Sequence, residues 1–431
     1  MRVLVLGASG FIGSHVAATL AGLGHEVRAG ARRPDTARRL APAHEWVRAD
    51  FSELGDPSDW TGLLEGVDAV VNCVGVLQDG AGDSLHAAHV TGPAALIAAC
   101  TTGGPGRLIH VSAVGTDEQV GTGYGASKLA TETLIKDSSL DWVILRPSLV
   151  LARGVYGGSA LLRGLAAFPL VIPVVGGAGN FRPVAMEDLC AIIEGLLRAE
   201  GPLRRSADVA GPQVVSLAEL LAGLRGWLGL APAPVVRFPA WLVAPVARLG
   251  DLAGWLGWPS ALRTTSLRQM AHDVAGQPAD AAQLAGVVPR SFSSWLTRHP
   301  ATVQDRWHAR LCLLRPIAIL ILGIFWIGTG MVTLGPGWRE AVAVLQDAGY
   351  GTMASPVAAG GALADITLGA LLWVRRFSGR AAIGMVLLGA AYLVAGTISA
   401  PQLWLDPLGP WLKVLPVIVL ALCVAATEDR R

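Results

Sequence analysis

Charge is scarce in this chain: Asp, Glu, Lys and Arg make up 15% of its 431 residues, against 52% hydrophobic residues. That balance is too apolar for an ordinary soluble protein, and part of the chain is expected in lipid. The 34 basic and 32 acidic residues leave a net charge of +2. No electrostatic footprint for a phosphate backbone results, and nucleic acid is not expected as a partner. Cysteine is sparse as well: Cys73, Cys100, Cys190, Cys312 and Cys423 are scattered, with neither metal spacing nor a paired framework. They read as small buried hydrophobes in a reducing compartment. No His-x-x-x-His or His-Glu-x-x-His pattern occurs, and His86 and His89 have no acidic or thiol companions, so no metal is expected. A Gly-x-Ser-x-Gly elbow is also missing, which leaves a serine hydrolase unsupported. Met1 to Leu6 runs straight into a glycine loop with no room for a cleavable leader, and the front domain is expected on the cytoplasmic side.

What the chain does have is ordered apolar runs. Up to about His299 they alternate with helical patterns at the spacing of βαβ units, with no internal repeat or low-complexity tract. An α/β, doubly wound parallel sheet of Rossmann type follows over residues 1–300, with a small C-terminal lobe at 215–300. Strands are expected at residues 3–6, 26–31, 69–74, 108–112 and 142–145.

Beyond Arg310 and Arg315 the charges stop, and residues 316–334 are long enough to cross hydrocarbon at about 1.5 Å rise per residue. Residues 354–374, 381–400 and 408–426 repeat the pattern, the last with Lys413 near one end, where its stem can snorkel. A four-helix transmembrane bundle is expected over 311–428, a buried helical core being the alternative. Arg310, Arg315, Arg375, Arg376, Arg380, Arg430 and Arg431 fall on one side of these spans, and Arg339 and Lys413 on the other. The positive-inside rule then puts the head and both termini on the cytoplasmic side of a multi-pass protein of the cytoplasmic membrane. The segment 228–258 is rich in Pro, Gly and Trp, with Trp241, Trp255 and Trp258 among apolar residues. It lies either on the membrane surface, where tryptophan is favoured, or against the core of the small lobe.

Chemistry concentrates near the start. Gly7-Ala-Ser-Gly10-Phe-Ile-Gly13 follows a strand and opens a helix, the context that gives a glycine fingerprint meaning. Gly7 permits the tight turn, Gly10 lets backbone approach a pyrophosphate, and Gly13 allows close helix packing. Ser9, Phe11 and Ile12 complete the expected loop contacts, and a purely structural turn is the alternative. At the end of the second strand, where an acidic residue would bind ribose hydroxyls, the chain reads Ala31-Arg32-Arg33-Pro34. Arg32 can pair with a 2′-phosphate and Arg33 can add charge, which favours NADP; solvated loop residues are the alternative, and Asp35 keeps NAD open. Asp50 and Phe51 are placed at the adenine edge, with a helix N-cap as the competing role for Asp50. Cys73 and Gly75 end the strand that lets backbone come close to the nicotinamide ribose, unless that segment is a plain turn.

Tyr124-Gly-Ala-Ser-Lys128 puts a phenol and an ammonium four residues apart on one helix face. The lysine is expected to depress the phenol pKa, making it a usable acid/base, and to hold ribose hydroxyls. With the glycine loop, this pair resembles the short-chain dehydrogenase/reductase family over residues 1–300. Arg107-Leu-Ile-His-Val-Ser112-Ala113, Trp142-Val-Ile-Leu-Arg146-Pro147-Ser148 and Pro183-Val-Ala-Met-Glu187-Asp188-Leu189 are similar to its extended and atypical branch, which includes the nucleotide-binding accessory subunit of respiratory complex I. The resemblance implies Tyr124, Lys128 and Ser112 as the catalytic set. It also places the family's carbonyl-polarising Ser or Thr near Ala113, with Ser112 one residue off and Thr116 as a substitute.

The tail resembles the DoxX-like membrane family over residues 311–428, most specifically in Trp404-Leu-Asp406-Pro407-Leu-Gly-Pro410-Trp-Leu-Lys413-Val-Leu-Pro416. Asp365 stands mid-span, where a carboxylate needs a partner, a proton or water. The expected whole is a membrane-anchored NADP(H)-binding oxidoreductase acting on a carbonyl or quinone-like lipophilic substrate, in contact with membrane lipid and with room for a membrane protein partner. A nucleotide-binding assembly protein without turnover and a nucleotide-sugar epimerase or dehydratase are the alternatives.

Overall fold

Runs that are apolar on both faces build a parallel sheet covered on both sides. Seven strands do so here: β1 (Arg2–Leu6), β2 (Glu26–Ala31), β3 (Glu45–Arg48), β4 (Ala69–Asn72), β5 (Arg107–Val111), β6 (Asp141–Pro147) and a last strand, Arg205–Val209. The structure, a computed structural model, describes residues 1–80, 82–116, 121–258 and 260–428, with nothing stated of the side chains at 279, 281 and 282. Most of the loop between Thr116 and Gly121, and Arg430 and Arg431 of the charge count, lie outside the described residues.

The strand order is Arg205–Val209, β6, β5, β4, β1, β2, β3, with every pair parallel. Chain direction across the sheet reverses between β1 and β4, which opens a crevice beyond their carboxyl ends. Alternation on β1 sends Val3 and Val5 into one core with Val16, Leu20 and Ile193, and Leu4 and Leu6 into another with Trp60, Leu96 and Ile144. A third core, around Ile172, Leu217, Leu221, Phe292 and Trp295, belongs to the small lobe.

Two details depart from the sequence expectation. β4 ends at Asn72 instead of residue 74, because the Asn72 side chain accepts the Val74 N–H at 3.0 Å and turns the chain. Arg205–Val209 was not anticipated, since only Ala207 and Val209 of this edge strand are buried and its apolar signal is correspondingly thin.

Two compact units divide the chain: Met1–Leu252 with Ser260–Arg310, and Ala253–Pro259 with Leu311–Arg430. Among the described residues three helical stretches of the tail, Val303–Leu334, Trp338–Trp373 and Arg375–Ser399, are long and apolar enough to cross a membrane. Pro410–Ala426 follows with 17 residues. The first helix begins well before Pro316, which sits inside it, and the third begins at Arg375 instead of 381. Small residues let the helices of the second unit approach closely: a Cβ at Gly330 would stand 2.5 Å from Ala362 O, and one at Gly369 2.9 Å from Gly323 O. Asp365 is buried between them and accepts the Tyr392 hydroxyl at 3.0 Å. At one end of the bundle Arg315 pairs with Glu428 at 2.7 Å, so the first helix of the unit and the end of the last one meet.

Candidate active site and nucleotide cradle

The crevice at the β1/β4 switch is lined first by glycine. Gly7 leaves β1 at φ +73°, and a Cβ there would come within 3.0 Å of the Cys73 and Val74 backbone. Gly10 donates its N–H to Gly7 O at 2.8 Å and forms the N-cap of helix α1 (Phe11–Gly22). A Cβ at Gly13 would lie 2.2 Å from Gly7 O, so the helix can sit this close to the strand only with glycine at that position. Among the described residues no side chain caps the first turn, which leaves its N–H donors for an anion at the positive end of the helix dipole. Ser9 and Gly10 are exposed, while Phe11 and Ile12 pack partly against the core. The donor set therefore fits a pyrophosphate.

At the far end of the crevice the charges are already spoken for. Arg32 gives its guanidinium to Asp83 Oδ1 at 2.6 Å and to Gly82 O at 3.0 Å, both on the loop after β4. Arg33 is exposed, and Arg48 reaches Arg32 O at 3.4 Å while pairing with Glu53. Asp50 accepts both the N–H and the hydroxyl of Ser52, at 3.1 and 2.7 Å, which makes it a local turn-former. The Phe51 side chain is buried edge-on against Trp60 at 5.4 Å and presses on Gly92.

Thr122 caps helix Gly123–Lys136 by accepting the Gly125 N–H at 3.0 Å, and this helix carries Tyr124 and Lys128 into the crevice. Lys128 is buried, and its Nζ donates to Val111 O at 3.0 Å and Val74 O at 3.4 Å, tying the ends of β5 and β4 together. Burial lowers its ammonium to about 8, against the raising influence of Cys73 and Glu132. Burial also pushes the Cys73 thiol up to about 12. Gly75 stands over the lysine, where a Cβ would lie 3.5 Å from Nζ. The phenol of the half-buried Tyr124 is pushed up by burial, to about 12. This is the reverse of the expected depression: desolvation dominates, and the lysine spends its hydrogen bonds on carbonyls.

His89 is the partner that sequence reasoning passed over. Its Nε2 accepts the Val76 N–H at 3.1 Å and its Nδ1 meets Ser127 Oγ at 2.8 Å, while Ser127 donates to Tyr124 O at 2.9 Å. That chain of donors requires the proton on Nδ1. Burial and the Lys128 charge hold the imidazole down at about 3, so it is neutral. Its ring stands edge-on to that of Tyr124 at 5.8 Å.

Ser112 faces away from this group. Its hydroxyl donates to Glu132 Oε1 at 2.8 Å, and Arg146 clamps the same carboxylate through Nε at 2.9 Å and through Nη2. Burial alone would raise the Glu132 carboxyl, but the bonds from Arg146 and Ser112 and the charges of Arg146 and Lys136 outweigh it and hold it below its ordinary value. The proton of Ser112 is thus committed within the protein, away from Tyr124 and Lys128. Ala113 is half-buried and Thr116 is buried at the end of the described part of this loop.

Comparison with known proteins agrees with this geometry. Residues 7–160 match the NAD(P)H-binding family and residues 323–422 the DoxX-like family. A dTDP-6-deoxy-L-talose 4-dehydrogenase (NAD(P)(+)) from Kitasatospora kifunensis is 30% identical over 59% of this chain and 90% of its own length. The chain belongs to the NAD(P)-binding short-chain dehydrogenase/reductase family. Its C-terminal part is DoxX-like. A ceramide reductase of Caulobacter vibrioides is 26% identical over 46% of the chain and 61% of the relative. Subunit 9 of the mitochondrial NADH dehydrogenase [ubiquinone] 1 alpha subcomplex of Arabidopsis thaliana is 25% identical over 50% and 55%. The chain spans less than two thirds of the length of these last two. A solved structure, that of gox2253, shares the fold at a TM-score of 0.53 and 21% identity, covering 72% of this chain and 99% of that one.

Within this reductase-family head, the sequence pattern located the glycine cradle and the Tyr124–Lys128 helix. It missed Glu132, although that residue lies four positions after Lys128 on the same helix stripe and could have been found there. It missed His89 and Asp83, whose partners lie 38 and 51 residues away and leave no local signal.

Proposed function

We propose that this protein is a membrane-anchored, NADP(H)-dependent oxidoreductase that reduces a lipophilic carbonyl at the cytoplasmic membrane surface. In this reading residues 1–300 form the catalytic head, and residues 311–428 cross the membrane four times with the head and both termini cytoplasmic. The observation that carries it is the convergence of Tyr124, Lys128 and the glycine cradle at one sheet switch point, in a chain whose tail is DoxX-like. The names of relatives support the substrate class, since one is a ceramide reductase.

A bound reduced nicotinamide supplies the hydride. Tyr124 donates its phenolic proton to the carbonyl oxygen as the carbon is reduced, which yields an alcohol, and the proton is replaced from solvent. A phenol held high stays protonated throughout the neutral range and is ready as an acid. Lys128 bears the positive charge that receives the phenolate, and its third N–H would hold a ribose hydroxyl of the bound nucleotide. His89 positions the Tyr124 turn and the Val76 backbone through its two ring nitrogens. A tether to the membrane raises the effective concentration of a lipid-dissolved substrate around the head. The test is NADPH oxidation by the full-length protein in lipid, with long-chain ketones and quinones as acceptors; no turnover on any of them would overturn the proposal.

A second reading, a nucleotide-binding assembly protein without turnover, draws on one observation: Ser112 is engaged by Glu132 and Ala113 has no hydroxyl. Nucleotide that copurifies and never exchanges would favour it.

A further inference from the structure

Helix Ala240–Trp255 is turned inside out for a soluble protein. Its inner side carries small residues: Ala247 is fully buried, and Gly250 runs so close to the chain that a Cβ there would stand 1.9 Å from Leu262 O. Its large apolar residues point the other way. Trp241 and Trp255 are 72% exposed and Leu249 64%, and Leu242, Val246 and Leu252 join them along the outer face. Leu242, Val246 and Leu249 are spaced i, i+4, i+7, so they form one stripe, which Trp241, Leu252 and Trp255 widen. An apolar face of this kind marks an interaction site.

The surrounding charge says what kind. Arg237, on the strand before the helix, and Arg248, within it, are exposed. Asp251, the acidic residue of this segment, is turned inward and taken: it accepts Gln78 Nε2 at 3.1 Å, Thr264 Oγ1 at 2.8 Å and Thr264 N at 3.4 Å. The free charge is cationic beside an apolar, tryptophan-flanked face, the composition of a helix lying in an anionic lipid interface. Chain continuity points the same way. Directly after the helix, Leu256 O accepts the Arg375 N–H at 3.1 Å and Trp258 Nε1 donates to Trp373 O at 2.7 Å, where two of the apolar helices end and begin.

We infer that helix Ala240–Trp255 lies in the headgroup region of an anionic bilayer and is the surface through which the head meets its lipophilic substrate. The inner edge of the helix reaches one rim of the crevice through Asp251 and the other by way of the next helix, Thr264–Met270, whose Thr264 also bonds Asp251. Asp251 holds Gln78, on the loop just after Gly75, and Thr265 holds the same glutamine at 3.0 Å. Gln269 donates to Thr122 Oγ1, the cap of the Tyr124 helix, at 2.7 Å. Lipid contact on the outer face and the frame of the active site thus share one set of hydrogen bonds. This inference rests on the proposed carbonyl reduction for its substrate arm alone.

The test uses the full-length chain in nanodiscs containing phosphatidylglycerol, with an environment-sensitive fluorescent amino acid in place of Val246. A blue-shifted emission quenched by lipids brominated high on the acyl chain is expected. Water-like emission without quenching overturns the inference, and so does energy transfer from a second labelled copy without lipid quenching, which would assign the face to self-association. In the second arm, Leu249→Glu is expected to raise KM for a long-chain ketone about tenfold, from lost apolar burial, while KM for NADPH and for a short water-soluble ketone stays put. An equal change for both ketones overturns it. If no ketone is turned over, the carbonyl proposal fails while the quenching result still decides the membrane surface.

Discussion

The Ser112 hydroxyl and the Glu132 carboxylate are joined at 2.8 Å beneath the crevice at the sheet switch point, with both groups buried. Removing the hydroxyl leaves a buried carboxylate one donor short, which costs about 1–3 kcal/mol. Ser112→Ala is therefore expected to lower the urea midpoint while kcat in the surviving folded protein stays within about twofold, since ordinary structural losses away from the reacting atoms leave the chemical step alone. A hundredfold fall in kcat at unchanged stability would restore Ser112 to the catalytic set.

Glu132 makes the head acid-sensitive. Its carboxyl, with an ordinary value of 4.5, is held lower in the folded protein. A depressed carboxyl stabilises fully above its unfolded value and loses that contribution as pH falls through the folded one. Unfolding followed from pH 6 downward should show a decline, begun by His89, that steepens below about 4.5, and Glu132→Gln should remove the steepening while lowering stability near neutrality.

Tyr124→Phe removes the proposed proton donor and little volume. Loss of a positioned acid slows reduction by about 10²–10⁴-fold, and NADPH affinity should change little because the cradle residues are untouched. Stopped-flow hydride transfer beside a fluorescence titration of NADPH separates the two effects; full activity in the variant would end the proposed mechanism.

Lys128 sets a second pH dependence, of opposite origin. Its ammonium is lowered from 10.5 to about 8, so between those values the unfolded chain holds a proton the folded one has released. Stability of the nucleotide-free head is then expected to rise with pH from about 8 to 9; above 9 the thiols of Cys73 and Cys100, raised by burial, oppose the rise because the unfolded chain sheds protons that the folded one keeps. Lys128→Met should remove the rise between about 8 and 9 and leave the thiols' decline above it, in chemical unfolding measured at several alkaline pH values.

Arg32 and Asp83 should control the choice of nucleotide. Pairing at 2.6 Å means that a 2′-phosphate has to compete with the Asp83 carboxylate for the guanidinium. Arg32→Ala is expected to weaken NADPH about 10–100-fold, the scale of a charged hydrogen bond, with NADH little changed. Asp83→Asn should move NADPH the other way, toward tighter binding. Equal effects on both nucleotides in isothermal titration would remove Arg32 from the 2′-phosphate site.

Several features were legible in the sequence because their causes are local. Apolar runs of fixed period gave β1, β2 and β6, since a strand's burial is written in neighbouring residues. Gly7, Gly10 and Gly13 marked the cradle because the turn, the cap and the close helix contact fall within seven positions. Tyr124 and Lys128 share a helix face by spacing alone, and length with hydropathy was enough to find three of the four expected spans as long apolar helices and the fourth as a shorter one.

Tertiary structure decided what depends on residues far apart in the chain. Ser112 finds Glu132 and Arg146 across the helix–sheet interface, Phe51 turns into the core against Trp60, and Arg32 meets a loop 51 residues on. Lys128 and Tyr124 are shifted by burial instead of by each other, because desolvation depends on everything packed around a group and not on its neighbour in sequence. The tryptophans of the 240–255 helix show the division clearly. Composition suggested an interface or a core, and only the close approach of Gly250 to Leu262 fixed which side of the helix faces in and left the large apolar side facing out.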